Sequence, residues 1–174
     1  MPDWAPNLHP FLVHFPIALL TAAAAVDLLS LLRPAHGATR DTATWLYCAG
    51  AFTAMAAYFS GLSAAAAVRV TSEADLAVTT HFAWADRTTW FFVFFASLRL
   101  AMSYIWRTTA RWTLAASCAL SLVGLVLLAA TALHGGRLVF RYGLGVESVP
   151  PTGASWTMPG RAAAGTGDPD PRAP

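Results

Sequence analysis

Polar residues thin out over four long stretches of this chain, Phe11 to Leu32, Ala43 to Val68, Thr88 to Trp106 and Thr113 to Leu133. Each is long enough for a helix across roughly 30 Å of hydrocarbon, which takes about 20 residues. No other single-segment backbone satisfies its own hydrogen bonds in lipid, so four transmembrane helices are expected. The chain therefore reads as all-α, an integral membrane four-helix bundle over residues 1–147. Beyond it, residues 148–174 are rich in Pro, Gly and Ala without periodic apolar positions, and a disordered C-terminal tail is expected there.

The boundaries of the runs carry more detail. Proline is favoured at a first helical position, so the first helix starts at Pro16 behind a bent lead-in, or at Pro10 with a kink at Pro16. In the second run Gly50, Ala54, Ala57, Gly61 and Ala64 fall on one stripe, which suits close packing within the bundle or a dimer face. Ser72 with Asp75 three positions on resembles a capping box, so the third helix starts well before the membrane. Its rings, Trp84, Trp90, Phe91, Phe92, Phe94 and Phe95, suit bundle packing and lipid contact. His134-Gly135-Gly136 reads as the stop of the fourth helix, with RLVFRYGLGV after it as a short extended or interfacial element.

Composition supports the membrane reading: 56% of the 174 residues are hydrophobic and 11% are charged. The net charge of +2 is too small to imply a nucleic-acid partner. Cys48 and Cys118 lie in different runs without CxxC spacing, so neither a disulfide framework nor a thiolate metal site is indicated. The N-terminus lacks the positive region of a secretory signal, and the first segment is read as retained. All eleven basic residues are arginine, which fits a high-GC bacterium but establishes nothing about source; a multi-pass protein of the bacterial inner membrane is the expectation.

Segment counting brings the candidate chemistry together. With four spans, His9, His14, His81 and His134 gather on one membrane face, and His36 lies in a loop on the other. The opposite face carries Arg33, Arg40, Arg107 and Arg111 in short loops, set against Arg69, Arg87, Arg137 and Arg141 on the histidine face; on balance the positive-inside rule favours the former face as the cytoplasmic one. The histidine face is then extracytoplasmic. Two charges lie inside spans, Asp27 and Arg99, at comparable depths of roughly 9 and 12 Å from the flanks at Arg33 and Arg107. They are placed to pair, either as a structural contact or as part of a relay.

Neutral imidazoles on different helices of a bundle are a known way to hold haem or a metal ion. Arg137 and Arg141 follow His134 on the same face, where guanidinium groups suit the carboxylates of haem propionates. With no CxxCH, the haem would be b-type. The expected cofactor is haem b, with His14 and His81 as the preferred axial pair and also the preferred metal ligands. His9, His134, Arg137 and Arg141 complete the site, and a redox partner protein is implied. Two other readings fit the same residues: a membrane anchor or scaffold without cofactor, and a small metal-binding membrane protein. No nucleophile-base constellation points to an enzyme.

The motif HPFLVHFPIALL, four spans, and the closing GGRLVFRYGLGV together resemble a bacterial family of predicted membrane proteins known as domain of unknown function 2231. The resemblance covers roughly residues 8 to 147 and carries over to His9, Pro10, His14, Phe15, Pro16, His81, Gly135, Gly136 and Gly143. It implies a four-helix membrane domain. Some members of that family are joined to Rieske or c-type cytochrome domains, which implies a redox setting. Tyr142 stands where many members carry histidine, so no ligand is expected there.

Overall fold

In the computed structural model, residues 8–32, 37–67, 72–107 and 110–145 are described; the proposed tail and His36 lie outside them. Among the described residues there is no strand. The elements are α1 (His9–Leu12), α2 (His14–Leu32), α3 (Gly37–Ala67), α4 (Ser72–Leu100), a π-helical turn (Ala101–Ile105) and α5 (Arg111–Tyr142). Four spans, His9–Leu32, Ala38–Ala66, Ser72–Ile105 and Arg111–Tyr142, are long and apolar enough to cross a membrane.

Each helix packs on its neighbours in a ring, α2 on α3, α3 on α4, α4 on α5 and α5 back on α2. The core follows the helical repeat of three and four. On α2 it takes Pro16, Leu20, Ala23, Ala24, Asp27 and Ser30; on α4 it takes Thr88, Phe92, Phe95, Ala96 and Arg99. The small-residue stripe of α3 serves this packing, with Ala54 and Ala57 buried and Gly50 against Leu20. Gly50 leaves no room for a side chain, because a Cβ would sit 2.5 Å from Leu20 Cδ2. Exposed rings such as Phe94 and Trp90 face outward, where lipid replaces water as solvent.

Three boundaries differ from those read in the sequence. The first span begins as α1 with Pro10 in its first turn, and Val13 separates it from α2. Pro16 is then the third residue of α2, in the turn whose N–H groups have no intrahelical partner anyway. The second helix starts at Gly37, so Arg40 is a helical residue and not a loop residue. The fourth does not stop at His134-Gly135-Gly136. It continues to Tyr142 and ends on Gly143, whose φ of 63° is left-handed and whose N–H bonds back to Val139 O at 3.0 Å. Neighbouring side chains explain the mistaken stop, since Gly135 gives room to His81 and not to a chain reversal. At about 1.5 Å per residue, 32 residues span about 48 Å, so α5 outruns the hydrocarbon.

Candidate functional site

The end of the bundle formed by α1, the C-terminal half of α3, the first half of α4 and the last half of α5 holds three imidazoles with a common feature. His9 Nδ1 lies 2.9 Å from Ala57 O and 3.1 Å from Ser60 Oγ; His81 Nδ1 lies 3.1 Å from Thr131 O; His134 Nδ1 lies 2.8 Å from Ala130 O. A carbonyl only accepts, so in each neutral ring Nδ1 carries the proton and Nε2 carries the lone pair. Carbonyl anchoring of one ring nitrogen is how proteins orient an imidazole whose other nitrogen is to serve as a ligand.

Glycine makes the space for two of these rings. A Cβ at Gly61 would sit 2.9 Å from His9 Cε1, and one at Gly135 would sit 3.0 Å from His81 Cε1. Each imidazole is thus wedged against the neighbouring helix by the absence of a side chain. His134 stacks on Trp84 at 5.8 Å between centroids, and Arg87 lies over that indole at 5.5 Å. Thr88 and Thr131, joined by a 2.8 Å hydrogen bond, close the floor between α4 and α5.

His14 is placed differently. It opens α2 with an exposed side chain, whereas His9 is the N-terminal histidine turned into the bundle. Continuation of α5 puts His134, Arg137 and Arg141 at i, i+3 and i+7, one face of one helix. Both arginines are exposed, and Arg141 lies 5.9 Å over the Tyr142 ring. Among the described residues no three His, Cys, Asp or Glu side chains are grouped to hold one metal ion. The imidazoles offer pairs, not a closed coordination sphere.

The opposite half of the bundle carries a second polar cluster. Arg99 donates to Asp27 Oδ1 at 2.9 Å, with Arg99 5% and Asp27 0% exposed. This contact joins α2 and α4, which stand across the ring from each other. The Arg99 guanidinium also lies 5.7 Å over the Tyr47 ring, and its Nη2 reaches Arg40 O at 3.4 Å. Asp27 Oδ2, Tyr47 OH and the Nε atoms of Arg40 and Arg99 are buried without a hydrogen-bond partner. Cys48 and Cys118 are free thiols.

A family profile described as "Predicted membrane protein (DUF2231)" matches residues 5–148. The chain belongs to the DUF2231 family. No curated protein and no solved structure matches it. Membership agrees with the four apolar spans, and the matched region contains every histidine at the wedged end. Sequence reading missed Gly61 and Thr131 because a glycine or threonine in an apolar run carries no chemistry until the fold shows which histidine it faces. Tyr47 was missed for a related reason, although a buried-looking tyrosine near an intramembrane Asp was a usable signal.

Proposed function

We propose that this DUF2231 member binds haem b at its histidine end and passes electrons to a redox partner. The observation that carries the reading is the set of three imidazoles from α1, α4 and α5, each held by Nδ1 on a carbonyl with the lone pair on Nε2. The residues fit the group in two respects. The ring cradles at Gly61 and Gly135 hold imidazoles in place, and a porphyrin, which brings four ligands of its own, needs only an axial pair. His9 and His81 would be that pair, with His9 favoured over His14 because His14 is exposed on α2. His134 would flank the ring, and Arg137 and Arg141 would meet the propionates. When bound, the haem supplies a one-electron couple.

The protein's own contribution is orientation and exclusion of water. Carbonyl anchors fix the tautomer, and the carbonyl's electron density raises ligand basicity at Nε2. We place the site on the extracytoplasmic side of a bacterial inner membrane, reading the arginines at the other end, Arg33, Arg40, Arg107 and Arg111, by the positive-inside rule. The test is haem content per chain after purification from haem-replete cells, for wild type and for His9→Ala, His14→Ala and His81→Ala. Near-complete loss in His9→Ala and His81→Ala with retention in His14→Ala is expected. Loss in His14→Ala with retention in His9→Ala would move the axial role to His14. Haem content unaffected by all three variants, or absent from wild type, would remove the haem reading and leave a cofactor-free anchor.

A further inference from the structure

Trp106 N–H bonds to Ala101 O at 2.9 Å, five residues back, so α4 closes in a π-helical turn, and Arg107 ends it at a left-handed φ of 49°. Such turns are rare and recur at functional sites. Among the described residues this turn packs on α4 and α3 without approaching α5. A groove of about 420 Å³ lies between them, with Leu98, Met102 and Trp106 on one wall and Trp112, Ala116 and Leu120 on the other. Small-molecule sites run to roughly 300–1,000 Å³, so a ligand has room here.

The lining selects a hydrocarbon. Nearly all of its surface is apolar; Thr113 and Ser117 also line it, but both are buried, and Thr113 donates to its own helix at Ala110 O, 2.6 Å away. A ligand with a polar body needs a few placed polar groups inside its site, and an alkyl chain needs none. Each wall, Leu98 to Trp106 and Trp112 to Leu120, rises about 12 Å along its helix. One leaflet of the hydrocarbon core is about 15 Å deep, so the groove runs most of that depth. Leu98 and Leu120 are exposed, which leaves it open to lipid on its outer side. Charge then selects the headgroup. Trp106 and Trp112 stand exposed at the ends of two spans, the level at which indoles meet headgroups. The next residues outward, Arg107 and Arg111, are exposed cations at the same end. Arg111 gives Nη2 to Leu31 O at 3.2 Å, one of the five N–H donors a guanidinium carries. Among the described residues neither arginine forms an ion pair with a carboxylate, Asp41 at the same end included.

We propose that the groove between the π-helical turn and α5 holds an acyl chain of an anionic phospholipid, whose phosphate meets Arg107 and Arg111. The site is independent of the haem reading, since none of its residues belongs to the histidine end. The experiment is native mass spectrometry of the full chain in detergent, mixed with equal amounts of dioleoyl phosphatidylglycerol and dioleoyl phosphatidylcholine, which share their chains and differ in headgroup charge. A lipid retained on the monomer, with phosphatidylglycerol favoured several-fold, is the expected result. Ala116→Phe and Leu120→Trp, which fill the groove, should each lose that lipid, whereas Arg107→Gln/Arg111→Gln should keep a lipid and lose the preference. The arginine variant leaves the groove walls untouched, so it decides the matter even where a groove-filling variant fails to fold. Equal retention of the two lipids by wild type, a preference that the arginine variant keeps, or a lipid that both groove-filling variants keep would overturn the proposal. A lipid-free dimer would overturn it too and give the groove to a second copy.

Discussion

The Asp27–Arg99 pair allows a quantitative test of what holds the centre of the bundle. Both side chains are almost fully buried, the contact is 2.9 Å, and it links two helices that stand across the ring from each other. Replacing Asp27 with Leu leaves Arg99 charged in the core with one long hydrogen bond to Arg40 O and the Tyr47 ring face, and replacing Arg99 with Met strands a carboxylate at 0% exposure. Removal of one partner from a buried pair costs about 3–5 kcal/mol, whereas replacement of both by apolar groups is often neutral or better. The double variant Asp27→Leu/Arg99→Met should therefore recover most of what each single variant loses. An ordinary interhelical hydrogen bond in lipid couples by only about 0.6 kcal/mol. A coupling of several kcal/mol in a double-mutant cycle would accordingly mark charge burial. The assay is SDS-driven unfolding in mixed micelles followed by tryptophan fluorescence. Additive losses, with a double variant as unstable as the sum of the singles, would refute the reasoning.

Other substitutions test separate parts of the fold. Gly124→Ala would bring a Cβ to 2.6 Å from Phe92 Cζ and 2.7 Å from Phe91 Cε1, so overpacking should lower stability by about 1–3 kcal/mol in the same unfolding assay. Gly143→Val should cost about 1–2 kcal/mol in the same unfolding assay, because φ at that position is 63° and a branched residue disfavours it; total helical content by circular dichroism should fall only slightly. Gly135→Leu should displace the His81 ring, and the haem content of that variant should fall toward that of His81→Ala while Gly136→Ala, which meets only Phe140 at 3.9 Å, retains it.

Much of the fold was legible in the sequence, because lipid imposes one rule on the backbone and the four apolar runs obey it. The early start of the third helix at Ser72 and the pairing of Asp27 with Arg99 were readable from a cap signal and from helical rise alone. What failed were choices that depend on a neighbour. Gly135-Gly136 looked like a stop until the His81 ring was seen to occupy the space a side chain would take. Arg40 looked like a loop charge until α3 was seen to start at Gly37. The histidine face followed from counting spans. Which of His9 and His14 turns inward did not, since that depends on how the first span is rotated against α3, where His9 finds Ala57 O and Ser60.

The central claim is most directly tested by the visible spectrum of the wild-type protein, purified in detergent from haem-replete cells and recorded oxidised and then reduced with dithionite. The account predicts a Soret band and, on reduction, the sharp α and β bands of a low-spin, bis-imidazole b-type haem at about one haem per chain. Colourless protein that stays colourless after haem is added would contradict it.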